Sequence, residues 1–170
     1  MLKKVPFILT LLGIVSGIFI SILFAINEPL FKNKIAQDLL QNPKVLTMTS
    51  QDEKNKYIEK EAEKIWRYYQ RFHFHSTGIA AMALGVLILI AFSQGPQKIK
   101  LLLSYMVSTS GFLYPFVWLF AALYGPLLGR DAAKEKFALL GYMGGVFMLA
   151  VVLVAILLAK YPVKINNENL

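Results

Sequence analysis

The two histidines of the chain lie two residues apart, in the sequence His73-Phe74-His75. In a β-strand, residues i and i+2 share one face and two imidazoles could bind the same metal ion, whereas on a helix they point about 200° apart. Imidazole is the commonest side-chain ligand of protein-bound metals and also binds haem iron. The segment therefore suggests a metal or haem site, with proton or small-ligand handling and simple anchoring at a membrane surface as the alternatives.

Other side chains able to complete such a site are few. Glu28 and Asp131 supply carboxylates, which bind metal ions or orient a ligating imidazole. On a helix, His73 shares its face with Tyr69 and Trp66, so these aromatic residues would line a cofactor. The predicted cofactor-binding residues are His73, His75, Tyr69 and Trp66, and the predicted metal ligands are His73, His75, Glu28 and Asp131.

Several kinds of chemistry are excluded or disfavoured. The chain has no cysteine, which excludes disulfide scaffolds, thiolate zinc sites, Cys-ligated iron–sulfur clusters and thiol catalysis. Phosphate-binding loops, serine-hydrolase elbows and zinc-protease motifs are absent from the sequence. We predict a non-enzymatic binding protein. An accessory subunit of a larger membrane complex is the alternative, and an enzyme acting on a lipid or quinone is a third option.

The elements that carry these residues follow from the hydropathy of the chain. Of its 170 residues, 56% are hydrophobic and only 16% are charged, against about 25% charged in soluble domains. Four runs contain no Asp, Glu, Lys, Arg or His, and they are residues 5–27, 76–97, 101–129 and 137–159. Each exceeds the ~20 residues that cross a bilayer as a helix. We predict an all-α transmembrane four-helix bundle, with spans at about 5–26, 74–94, 100–124 and 136–159.

Two of these spans need further comment. The apolar core of the first is longer than that of a signal peptide and lacks a clean cleavage site, so it is predicted to be a retained anchor. The third contains Pro115, where we expect a kink, and Pro126, which we place in the turn at the end of the span. No charged residue lies at mid-depth in any run, which disfavours a proton-coupled transporter.

Residues 27–75 form the only sizeable segment between spans, and its part at about 29–73 is predicted to be helical and extramembrane. The spacing of apolar residues in 29–41 indicates an amphipathic helix that lies in the membrane interface, with docking on the bundle as the competing arrangement. After an irregular stretch, Ser50 or Thr49 can cap a helix. No Gly or Pro interrupts residues 51–77, so one helix should continue from about 52 to 93 and project beyond the bilayer.

Four crossings place both termini on one side. That side carries six lysines and only Glu168 among acids, whereas the other carries twelve basic and nine acidic residues. The larger basic count would place the side with twelve basic residues in the cytoplasm, whereas the positive charges before the first helix favour cytoplasmic termini. Following the first helix, we predict cytoplasmic termini and a bacterial inner-membrane location. The dispersed lysines indicate membrane lipids rather than nucleic acid as partners. Stripes of small residues suit tight helix packing, a homo-oligomer or a larger complex.

The same topology brings the ends of four helices to one membrane face. Glu28, His73, His75 and Asp131 should all lie there, whichever side is cytoplasmic. Arg130 could pair with Glu28, and Asp131 suits the first turn of a helix because the helix dipole is positive there. The predicted binding site is therefore the polar face shared by segments 27–75 and 125–136. A pocket near Pro115, lined by aromatic residues, is a further place for a quinone, lipid or haem edge.

Overall fold

A computed structural model describes residues 3–164 of the chain; Glu168 lies outside this range. The helices in it are α1 Lys4–Leu40, α2 Pro43–Leu46, α3 Gln51–Phe92, α4 Gln97–Leu113, α5 Phe116–Leu128, α6 Arg130–Lys136 and α7 Ala138–Lys160. Within residues 3–164 there is no β-strand, and one isolated antiparallel bridge joins Ser93 to Val163. The predicted all-α class is confirmed.

Four helical stretches are long and apolar enough to cross a membrane. They are Lys4–Leu40, Gln51–Phe92, Gln97–Leu128 and Ala138–Lys160. Each overlaps one of the spans predicted from the uncharged runs, because a helix is the structure that pairs the backbone groups of such a run internally.

Helix α1 bends where its apolar run ends. Asn27 has non-helical backbone angles (φ −153°, ψ 67°), and its side-chain oxygen accepts a hydrogen bond from the backbone N–H of Leu30 at 3.1 Å. This is the geometry of a helix N-cap. Pro29 fits here because the first turn of a helix has backbone N–H groups without intrahelical partners. Residues 28–40 therefore start a second helical segment in a new direction.

The apolar face of residues 28–40 packs on the helix bundle. Docking on the bundle was the alternative to a position in the membrane interface for this segment. Ile35 and Leu39 are each only 2% exposed and belong to a cluster with Ile65, Tyr69 and Ala121. Burial of such a side chain contributes about 1.5–3 kcal/mol. Contact with α3 and α5 thus buries residues that were expected to face the membrane interface.

Helix α3 is one continuous helix of 42 residues, as its uninterrupted pattern predicts. Ser50 is its N-cap, and the Ser50 hydroxyl accepts from the backbone N–H of Glu53 at 3.4 Å. At 1.5 Å per residue the helix is roughly 63 Å long, about twice the thickness of a hydrocarbon core. Helix α3 therefore has one half long enough to project beyond a bilayer, and α1 packs along it.

The two prolines of the third span behave differently. The regular helix is interrupted at Tyr114 and Pro115, between α4 and α5, at the position where a kink was predicted. Pro126, however, lies inside α5 rather than in the exit turn, which is a correction to the sequence-based placement. Its predecessor Gly125 has no side chain to clash with the proline ring, so the helix continues to Leu128. It ends at Gly129, whose φ of +88° favours glycine.

The helices enclose two apolar clusters, one near each end of the molecule. One cluster contains Leu87, Ile90, Val107 and Val154. We call the end of the molecule beyond this cluster the terminal end; it comprises residues 3–4, 93–100 and 160–164. The other cluster contains Ile35 and Ile65. We call the end of the molecule beyond it the loop end; it comprises residues 28–60 and 125–137.

Candidate functional site

The two histidines face different neighbours, as their spacing on a continuous helix requires. His73 packs toward α1, where its Nδ1 lies 2.8 Å from the backbone oxygen of Gly17. A carbonyl oxygen only accepts hydrogen bonds, so Nδ1 is the donor. Gly17 permits this approach because a Cβ there would come within 2.7 Å of the Thr77 side chain. His73 therefore ties α3 to α1.

His75 lies on the opposite side of α3, on the same face as Arg71 and Ile79. Its Nδ1 is 2.8 Å from the backbone oxygen of Arg71 and is again the donor. The neutral ring then carries a lone pair on Nε2, where it can accept a hydrogen bond or bind a metal ion. A backbone carbonyl on Nδ1 is the usual way in which a protein orients a ligating imidazole.

His75 lines an open groove between α3 and the first half of α7. The groove has a volume of about 520 Å³ and is lined by His75, Ile79, Met82, Tyr114, Gly141, Gly144, Gly145 and Phe147. Its position next to Pro115 is the one at which the sequence indicates a pocket. Space remains beside Gly145, since a Cβ built there meets no atom within 4 Å. Glycines on α7 thus form one wall of a groove that contains a single imidazole.

A cationic and aromatic cluster lies at the loop-end side of this groove. The Arg71 guanidinium lies 4.8 Å from the Trp118 ring centroid, and the His75 ring is 5.9 Å from the same centroid. The Tyr68 ring centroid lies 5.4 Å from that of Trp118, and the Arg71 guanidinium is 5.7 Å from the Tyr68 ring centroid. Trp118 Nε1 is buried and has no hydrogen-bond partner within residues 3–164. Arg71 has no carboxylate within ion-pair distance in that range.

The other predicted site residues are not brought to His75. Glu28 pairs with Lys32 at 2.5 Å, and Asp131 pairs with Lys134 at 2.8 Å, both with exposed carboxylates. Trp66 and Tyr69 pack with Phe24 of α1 on the His73 side of α3. In the described part of the chain, no group of three or more His, Asp or Glu side chains is placed to hold a metal ion.

Arg130 pairs with Glu61 rather than with Glu28. Its Nε lies 2.5 Å from a Glu61 carboxylate oxygen, and its guanidinium also donates to the Tyr68 hydroxyl at 3.4 Å. The hydrogen bond with Glu61 raises the pKa of Arg130, against the opposing effect of burial. The expected pair with Glu28 fails because that carboxylate meets Lys32, one turn away on its own helix. Asp131 does occupy the first turn of a helix, the short α6.

Glu61, Trp118 and Asn42 were not identified as site residues from the sequence. The buried Asn42 amide donates to the carbonyl of Pro126 at 2.7 Å and so joins α2 to α5. A signal existed for Glu61, since Glu61, Tyr68 and His75 recur every seven residues and hence share one face of α3. A search for polar residues at helical spacing would have found this face.

Comparison of the chain with protein-family models, curated proteins and solved structures finds no match. Any function must therefore be inferred from the geometry of the site.

Proposed function

We propose that the chain is a non-enzymatic integral membrane binding protein of the bacterial inner membrane. The four long apolar helices would form a transmembrane four-helix bundle, with residues 28–73 projecting from it. The terminal end would face the cytoplasm, because lysines without neighbouring carboxylates favour that side. In this orientation the loop end and its polar residues lie on the opposite side.

The site that we propose for the ligand is the groove at His75, and haem is the ligand that its chemistry suits best. One imidazole is enough as an axial ligand of haem iron, whereas a metal ion held by protein alone needs several ligands. The groove has the volume of a small-molecule site. The single observation that carries the proposal is the orientation of His75, whose Nδ1 is bonded to the Arg71 carbonyl and whose Nε2 is left for a ligand.

The surroundings of His75 agree with an anionic, flat ligand. Arg71 lies one helical turn toward the loop end and would meet the propionate groups of haem. The indole N–H of Trp118, which has no hydrogen-bond partner within residues 3–164, is a further donor in the same cluster. The glycine wall of α7 leaves room for a planar ring, which Tyr114 would contact from the side of α4.

Absorption spectroscopy and elemental analysis of the purified full-length protein test this proposal, as isolated and after addition of haemin. We expect a Soret band and about one iron per chain. His75→Ala should abolish the band, whereas His73→Ala should keep it and lower only the thermal stability, since His73 bonds to Gly17. A protein that shows no Soret band under either condition, or an equal loss in both variants, would contradict haem binding at His75.

A matched pair of glycine variants tests the groove independently of the histidine. Neither Gly145 nor Gly85 has an atom within 4 Å of a built Cβ, so both positions have open space beside the helix for a larger side chain. Gly145→Leu fills the groove and should weaken haem binding at least tenfold, whereas Gly85→Leu should leave it unchanged. Equal binding by the two variants would place the ligand elsewhere.

The alternative is an accessory subunit of a larger membrane complex or a homo-oligomer. The observation in its favour is the sparse packing of the first half of α7, where Leu139 is 71% and Tyr142 is 70% exposed. Such a surface can contact lipid or another transmembrane helix. Size-exclusion chromatography with light scattering in a mild detergent distinguishes the two functions. A ligand-free oligomer or complex would support the accessory subunit, whereas a haem-loaded monomer would support the binding protein.

A further inference from the structure

A second groove lies at the terminal end, between α4 and α7. It has a volume of about 250 Å³ and is walled mainly by aliphatic side chains, including Leu102, Leu103, Leu153 and Ile156, with Lys160 and Tyr161 at its outer end. Leu102 is 60% and Ile156 49% exposed. The groove therefore combines an apolar floor, open to the outside, with one cation and one aromatic residue at its mouth.

The mouth of this groove is held by backbone hydrogen bonds. The N–H of Gln94 donates to the Pro162 carbonyl at 3.0 Å, and the N–H of Lys164 donates to the Phe92 carbonyl at 3.1 Å. Gly95 allows this approach, because a Cβ there would lie 2.6 Å from Leu157 Cδ1. The chain that follows α7 is thereby fixed to the turn between α3 and α4, and Lys160 and Tyr161 keep their places beside the groove.

The charges around this mouth have one sign. The terminal end contains basic residues and, among residues 3–164, no Asp or Glu, and its basic residues are Lys3, Lys4, Lys98, Lys100, Lys160 and Lys164. The ammonium group of Lys100 already has partners within the protein, since it donates hydrogen bonds to the carbonyls of Ala91 at 2.9 Å and Ser93 at 2.7 Å. Lys160 has no carboxylate within ion-pair distance in the described chain. An anion from outside the protein would complement it.

We propose that this groove binds a phospholipid with an anionic headgroup. The phosphate lies at Lys160, and one acyl chain follows the aliphatic wall from Leu157 toward Leu153. Tyr161 takes the position typical of aromatic residues at the level of the headgroups. The occupant is a lipid rather than a soluble anion because the groove beyond Lys160 is apolar and lies within the span of α7. This site is separate from His75 and does not depend on the function proposed there.

Native mass spectrometry of the delipidated full-length protein tests the proposal, with phosphatidylglycerol and phosphatidylcholine of identical acyl chains as probes. The wild type should bind phosphatidylglycerol about fivefold more tightly, the effect expected for one basic residue near an anionic headgroup. Lys160→Gln should abolish this preference. Lys32→Gln is the matched control, because Lys32 is paired with Glu28 at the loop end, and it should retain the preference.

A second pair of variants tests the acyl-chain wall. Ile156→Trp fills the groove and should weaken binding of both lipids, whereas Leu139→Trp, on the exposed far end of the same helix, should not. The proposal is overturned if the wild type binds the two lipids equally, if Lys160→Gln and Lys32→Gln behave alike, or if Ile156→Trp leaves lipid binding unchanged. A dimer that Ile156→Trp dissociates without any loss of lipid would also overturn it, in favour of a second copy as the occupant.

Discussion

The loop end and the terminal end are both rich in basic residues, but these residues have different partners. All six ion pairs formed within residues 3–164 lie at the loop end or on the helices that lead to it. At the terminal end, Lys100 instead bonds to two backbone carbonyls at the end of α3. Other lysines of the terminal end, Lys160 among them, have no carboxylate partner within residues 3–164.

This difference explains where the formal net charge of +8 acts. At the loop end, carboxylates of the protein offset most of the basic residues, and the partly buried Arg130 is stabilised by Glu61. At the terminal end, the positive charge is available to interact with anions outside the protein. One end therefore gains stability from its own charges, while the other has an electrostatic preference for an anionic membrane surface.

The largest effect should come from the Arg130–Glu61 ion pair, which is partly buried and is the one pair within residues 3–164 that joins two distant parts of the chain. Arg130→Gln leaves the Glu61 carboxylate, only 12% exposed, without its main partner. We expect a loss of about 2 kcal/mol in the free energy of unfolding. Thermal or denaturant-induced unfolding in detergent measures this change.

The control for this variant is Arg67→Gln, since Arg67 pairs with Glu63 on the exposed surface of α3. Exposed pairs of this kind contribute about 0.2–1 kcal/mol. If the two variants lost equal stability, the distinction between a structural and a solvated ion pair at the loop end would fail.

A smaller effect is expected from the terminal end. Lys100→Met removes the donor to the carbonyls of Ala91 and Ser93, and the expected loss is about 1 kcal/mol in the free energy of unfolding. Lys98→Met, at an exposed position in the same turn, is the matched control. Because the partners of Lys100 are carbonyl dipoles, its contribution should change less with salt than that of Arg130. An equal salt dependence would show that both ends use the same kind of electrostatics.

The smallest effect should follow removal of a fully exposed pair. Asp131→Asn breaks the contact with Lys134, whose hydrogen bond lowers the pKa of Asp131. A carboxyl with a lowered pKa stabilises the fold at neutral pH, and this contribution disappears as the pH falls below that pKa. Because Asp131 is solvated, we expect no measurable change in the melting temperature at pH 7. A clear decrease would mean that Asp131 has a role beyond this surface pair.

Much of the fold could be predicted because its signals are local. The uncharged runs indicated the four apolar helices, and the uninterrupted pattern after Ser50 indicated one continuous α3. The opposed directions of His73 and His75 followed from helical geometry alone. The prediction was wrong at Pro126, where the missing side chain of Gly125 lets the helix continue. For residues 28–40, an apolar face could not by itself distinguish the membrane interface from α3 and α5.

The candidate site was predicted only in part, because its members come from separate helices. Topology predicted that the carboxylates and histidines share one membrane face, but in the structure they do not contact one another: the histidines bond to backbone carbonyls, whereas Glu28 and Asp131 pair with lysines. Glu28 and Asp131 pair with lysines one turn away on their own helices, whereas Glu61 of α3 pairs with Arg130. Such choices depend on side-chain distances of a few ångströms, which a one-dimensional pattern does not contain.

The sequence alone determined the helical class, the four apolar stretches and the excess of lysine at the terminal end, since these follow from hydropathy and charge along the chain. Tertiary structure decided which side of each helix is covered. It directed His73 to the Gly17 carbonyl and placed His75 beside Trp118 in an open groove. The physical reason is that pairing and burial depend on the approach of distant segments, which close packing and glycine positions control.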